Sequence, residues 1–85
     1  MQPAAPSPEY EAALREVLTQ RDWEVLREFT RERNGLPDDV YEQDRHFWEV
    51  LLHKLICSRI DLLGLHEDSR RWLDRHGYTP DLGGY

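Results

Sequence analysis

Between Asp38 and Leu63 the chain runs 26 residues without Gly or Pro, and its apolar positions spread too widely for one helix face. At about 100° per residue, Val40, Tyr41, Phe47, Trp48, Leu51, Leu52, Leu55, Leu62 and Leu63 share one broad arc. His46, Val50, His53, Cys57 and Ile60 form a second, milder stripe on the opposite side. A helix that is apolar on two sides is the centre of a bundle or one half of an intermolecular contact. The pattern therefore predicts a long central helix over 38–63, about 38 Å at 1.5 Å per residue. Asp39 with Glu42 matches a capping box at its start, and Gly64-Leu65 a Schellman stop at its end.

Shorter elements flank it. Ser7-Pro8 offers an N-cap and a proline at the first helical position, followed by Tyr10, Ala13, Leu14, Val17 and Leu18 at helical spacing. Trp23, Leu26, Phe29 and Thr30 repeat that period but lie nearly half a turn round, so one straight helix cannot aim both stripes at one core. Thr19 with Asp22 again fits a capping box. The expectation is helices over 8–19 and 20–34, the second closed by Asn34-Gly35, or one kinked helix satisfying the same stripes. A short helix over 67–76 carries Trp72 and Leu73 and stops at His76-Gly77-Tyr78. No period-2 stretch, hairpin dipeptide or internal repeat occurs. The predicted class is all-α: three main helices plus a short C-terminal one, with a disordered leader over 1–7, one domain over 8–78 and a flexible tail over 79–85. The expected core is Leu14, Val17, Leu18, Leu26, Phe29, Trp48, Leu51, Leu55 and Leu62.

Composition narrows the function classes. Eighty-five residues make one small domain whose core is marginal unless a partner adds to it. Nine aromatics, three of them Trp, exclude a disordered chain. The net charge of −6 is spread along the chain, which disfavours nucleic-acid backbones and anionic membrane surfaces. A single cysteine makes no internal disulfide and fits a reducing, cytoplasmic location. The first residues lack the basic and apolar regions of a signal peptide, and no run reaches the ~18 apolar residues of a membrane span.

Candidate chemistry is sparse. His46, His53 and Cys57 share the second stripe, and His53 and Cys57, four residues apart, could both reach one soft divalent ion. The plainer reading makes them packing residues against the last helix or a second subunit. Asp44 and Arg59 interrupt the broad arc about 22 Å apart along the predicted helix, so they cannot pair with each other. Each needs an opposite charge on another helix or subunit, or else Arg59 snorkels from the arc's edge and Asp44 belongs to a protruding first two turns. Arg70, Arg71 and Arg75 surround Trp72, but interleaved Glu67, Asp68 and Asp74 make a face of ion pairs rather than a nucleic-acid surface. No phosphate loop, nucleophile elbow or His-Glu-x-x-His motif is present.

The sequence thus points to a non-enzymatic, acidic protein-protein interaction module: an adaptor, inhibitor or accessory subunit without a cofactor. Its expected partner-binding residues are Tyr41, Asp44, Trp48, Val50, Leu52, Arg59 and Ile60, with a homodimer of crossing long helices as the favoured assembly. The alternative is a metal- or small-ligand-responsive protein using His46, His53 and Cys57.

Overall fold

The computed structural model of the protein describes residues 8–33 and 37–81. These are helical throughout their regular structure: α1 (Pro8–Gln20), α2 (Trp23–Arg33), α3 (Arg45–Cys57) and α4 (Leu63–Arg75), with 3-10 turns at Asp38–Glu42 and Ile60–Leu62. No strand occurs among the described residues. None of these helices is long and apolar enough to cross a membrane.

Pro8 opens α1 as the sequence predicts. The break after it falls where the two stripes change phase, so these are separate helices rather than one kinked rod. Arg21 takes a left-handed backbone (φ 56°) and turns the chain, its amide donating to the Leu18 carbonyl. The cap of α2 is Asp22, whose Oδ1 accepts from the Glu24 amide at 2.9 Å. Thr19, expected as that cap, instead donates its hydroxyl to the Arg15 carbonyl inside α1. The expected Asn34-Gly35 stop and the Ser7 cap fall outside the described residues.

The long helix over 38–63 does not form. Two interruptions divide it. Asp38–Glu42 makes a 3-10 turn, and Asp44 is extended (φ −77°, ψ 176°) with Oδ1 accepting the Phe47 amide at 3.1 Å. An aspartate so placed satisfies an otherwise orphaned N–H and starts a new helix. At the other end Ser58 returns its hydroxyl to the Leu55 carbonyl, and Arg59 is extended (φ −109°, ψ 120°). Gly64 is therefore no stop; it lies in the first turn of α4, which is longer and starts earlier than predicted. The true Schellman stop is at the far end of α4, where Tyr78 N donates to Leu73 O, Gly77 N donates to Asp74 O, and Gly77 has φ 83°.

The break changes how the two apolar sides of α3 are covered. One side presents Trp48, Leu52 and Ile56, all at most 2% exposed, to Val17, Leu18, Leu26 and Phe29 of α1 and α2. Leu62 closes this core, and Leu73 of α4 is also fully buried. Leu14, Leu51 and Leu55, expected at its centre, pack half-buried at its margin. The buried line of α3 thus runs one residue round from the predicted one. Tyr41 stacks on Trp48 with ring centres 5.9 Å apart and donates its hydroxyl to the Thr30 carbonyl at 3.0 Å. The opposite side of α3 meets α4, and these two helices share the most extensive boundary in the fold.

Candidate functional site

The α3–α4 seam collects the chain's aromatic and imidazole chemistry. Trp72 projects from α4, and two imidazoles stack on it: His53 of α3 at 4.6 Å between ring centres and His76 at 3.9 Å. His46, at the start of α3, lies 5.9 Å from Trp72, 5.8 Å from His76 and 5.7 Å from Tyr78. Its Nε2 sits 3.0 Å from the Tyr78 hydroxyl. The segment after α4 is held in turn by Lys54, whose ammonium donates to the Asp81 carbonyl at 3.0 Å and lies over the Tyr78 ring.

Each imidazole has a distinct hydrogen-bond role. His53 is buried, with Nδ1 2.9 Å from the Ser69 hydroxyl. Burial first, then the Arg21 guanidinium and His76, hold its pKa below the ordinary histidine value, against the opposing pull of Glu49. His76 is exposed, and its Nδ1 lies 2.7 Å from the Trp72 carbonyl. A carbonyl only accepts, so Nδ1 carries the proton and the neutral ring keeps its lone pair on Nε2. His66 bonds through Nε2 to the Arg59 carbonyl at 2.7 Å.

The expected ligand set does not converge. His53 spends one nitrogen on Ser69 and its ring face on Trp72. Cys57 points along the seam toward the His66 carbonyl, 3.9 Å away. Burial raises its thiol pKa, with Arg70 acting in the other direction. Among the described residues no three His, Cys, Asp or Glu side chains gather about one point. His46 lies beside His76 and Tyr78, neither of which was among the residues expected from the sequence. Their only signal was the His76-Gly77-Tyr78 stop, which swings both rings back toward the seam.

A cleft of about 550 Å³ opens beside this seam, with His53 and Trp72 in its wall and Arg21, Arg71 and Arg75 at its rim. Asp68 and Asp74 also line it, and Arg21 pairs with Asp68 at 3.6 Å. Alternating charge leaves it no field of one sign, and the indole already carries two stacked imidazoles.

The expected partner-binding residues divide sharply. Trp48 and Leu52 are interior, so neither offers a docking surface; the Trp48 Nε1 is buried without a hydrogen-bond partner among the described residues. Tyr41 is half-buried in the stack described above, Val50 is half-buried, and Asp44 serves as the helix cap. Arg59 meets the opposite charges its position demanded: Nη1 lies 3.0 Å from Glu11 of α1 and Nε lies 3.3 Å from Asp61. Asp61 also pairs with Arg15 at 3.5 Å, so a chain of four alternating charges ties the α3–α4 junction to α1. Desolvation opposes the Arg59 charge, but hydrogen bonds to Glu11 and Asp61 outweigh it and raise its pKa. Immediately beside this network Ile60 is 84% exposed and Leu63 66% exposed. Compared with protein-family models, curated proteins and solved structures, the chain matches none.

Proposed function

We propose that the chain is a non-enzymatic interaction module that docks another protein through the aliphatic corner formed by Ile60 and Leu63. The single observation that carries this reading is their exposure, the largest among the big apolar side chains of the described residues. Scattered surface leucines are ordinary, but these two lie three residues apart at a helix junction, beside an ion-pair network. The Glu11–Arg59–Asp61–Arg15 network ties the 3-10 turn to α1, which restrains this corner before any partner arrives. Preorganisation of that kind reduces what ordering costs on binding. Of the binding surface expected from the sequence, Trp48 and Leu52 lie in the core and offer no docking area.

Size decides what sort of partner fits. Stable complexes bury ~800 Å² per partner, far more than two side chains supply. Two such corners meeting each other bury too little for a stable dimer, and α4 packs along the α3 stripe that suggested crossed helices. A different protein with a concave apolar pocket is the complementary shape. Burying an Ile and a Leu completely contributes about 1.5–3 kcal/mol each, enough for an anchor within a larger contact.

The test places a photo-cross-linking amino acid at position 60 of the full chain in its native cells. One polypeptide species should be captured, and Leu63→Asp should abolish the adduct while leaving the helical circular dichroism unchanged. Capture that is indifferent to Leu63→Asp, or no polypeptide adduct at all, overturns the reading.

A further inference from the structure

We propose that His46, His76 and Tyr78 form a binding site for a late first-row divalent ion such as Zn²⁺ or Cu²⁺. The three residues come from opposite ends of the α3–α4 hairpin, and 32 positions separate His46 from Tyr78 in sequence. Two imidazole nitrogens and one phenol oxygen make the nitrogen-rich, borderline donor set that such ions prefer.

The distances fit shared coordination. Two donors about 2.0–2.2 Å from one ion, separated by roughly 90–110°, lie about 2.9–3.5 Å from each other. His46 Nε2 and the Tyr78 oxygen are 3.0 Å apart. The spacing of the two imidazole rings is compatible as well. With Zn–N near 2.0–2.1 Å each ring centre stands about 3.2 Å from the ion, so a tetrahedral angle places two centres about 5.2 Å apart. The His46 and His76 centres are 5.8 Å apart. A closure of about 0.6 Å, small for two exposed side chains at helix ends, brings them to that geometry.

The orientation of His76 supplies the second observation. Its Nδ1–H is committed to the Trp72 carbonyl at 2.7 Å, and its ring is stacked on the Trp72 indole. Ligating histidines characteristically donate their other nitrogen to a carbonyl in this way, which fixes the tautomer and aims the free lone pair. Here that lone pair is on Nε2 of an exposed residue. Tyr78 is positioned by the Schellman bond to Leu73 and by the Lys54 clamp on Asp81. Coordination replaces the His46–Tyr78 hydrogen bond; the phenol proton leaves to solvent, and water fills the remaining coordination position. The consequence is a metal bridge fastening the segment after α4 to the start of α3.

Calorimetric titration of the untagged chain with Zn²⁺ should show one ion per chain. His46→Gln and His76→Gln should each weaken binding more than about tenfold, since even the loss of a partner behind a ligand costs that much. Cys57→Ser should change nothing, which separates this site from one built on the thiol. With Cu²⁺, a phenolate-to-metal charge-transfer band should appear and be absent in Tyr78→Phe. Should His46→Gln fold poorly, His76→Gln still decides, because His76 is exposed at a helix end. Zn²⁺ binding that survives in folded His76→Gln, that requires Cys57, or that is not seen at all overturns the proposal.

Discussion

Leu52→Ala and Leu51→Ala differ by one position along α3 and should differ severalfold in cost. Leu52 is 2% exposed against Trp48, Ile56 and the α1–α2 pair, whereas Leu51 is half-buried at the margin. Truncating a buried Leu removes three carbons, about 2.4 kcal/mol at ~0.8 kcal/mol each. A residual void of about 50 Å³ adds roughly 1.2 kcal/mol, because the neighbours are helices that relax only in part. Leu52→Ala should therefore cost about 3–4 kcal/mol. Leu51→Ala loses roughly half the transfer contribution and opens onto solvent rather than a cavity, so about 1 kcal/mol is expected. For a domain of this size each kcal/mol lowers Tm by about 4–8 °C, which places Leu52→Ala at least 12 °C below the parent and Leu51→Ala within about 8 °C. Paired thermal and urea melts followed by far-ultraviolet circular dichroism measure both. Equal losses, or a greater loss for Leu51→Ala, would refute the buried line through Trp48, Leu52 and Ile56 and restore the predicted one.

Three further outcomes follow from particular residues. The folded-state pKa of His53 is depressed, so its contribution is fully present above the unfolded value of about 6.5 and is lost as pH falls through the folded value. Urea melts between pH 7.5 and 5 should show the parent losing more stability on acidification than His53→Gln; parallel curves would remove that linkage. The two described glycines should respond with opposite signs to alanine, since neither Cβ would meet another atom within 4 Å. Gly64→Ala, in a helical turn, should stabilise by about 0.5 kcal/mol, whereas Gly77→Ala at φ 83° should cost about 1–2 kcal/mol, and melts showing the same sign for both would contradict the assigned stops. Asp44→Ala should cost about 0.5–2 kcal/mol as a lost helix cap, with Asp44→Ser recovering most of it; no loss would mean that α3 does not begin there.

What the chain discloses before folding is mostly local. Pro8, the phase change between Leu18 and Trp23, and His76-Gly77-Tyr78 each act through backbone geometry within a few residues, and each is legible. The breaks at Asp44 and Ser58–Arg59 are not, because neither Gly nor Pro marks them. Asp44 lies in the apolar arc and reads as a buried charge, yet it serves the Phe47 amide. Arg59 leaves helical geometry at a position whose charge is met by Glu11, 48 residues earlier. The error in α3 is one of phase: Leu51 and Leu52, or Leu55 and Ile56, are equally apolar neighbours, and only the placement of α1 and α2 chooses between them. His53 and Lys54 are buried because α4 and the Asp81 carbonyl supply partners, which no periodicity reveals. For the same reason His76 and Tyr78 look like the end of a helix in the sequence and like neighbours of His46 in the fold.

The three tryptophans occupy three different electronic surroundings, and this gives the protein its own optical instrumentation. Trp48 is sealed from water with no acceptor for its N–H, so its excited dipole has no mobile solvent to relax against, and its emission lies far to the blue until the core opens. Trp72 is stacked on the imidazoles of His53 and His76, so its brightness responds to its neighbours in the α3–α4 seam. Trp23 rests under the Arg27 guanidinium at the outer edge of α2. Emission colour thus reports the packing around α3, and emission intensity reports the chemistry of the α3–α4 seam. In a single unlabelled sample, loss of the core and rearrangement of the seam are read from different properties of the emission.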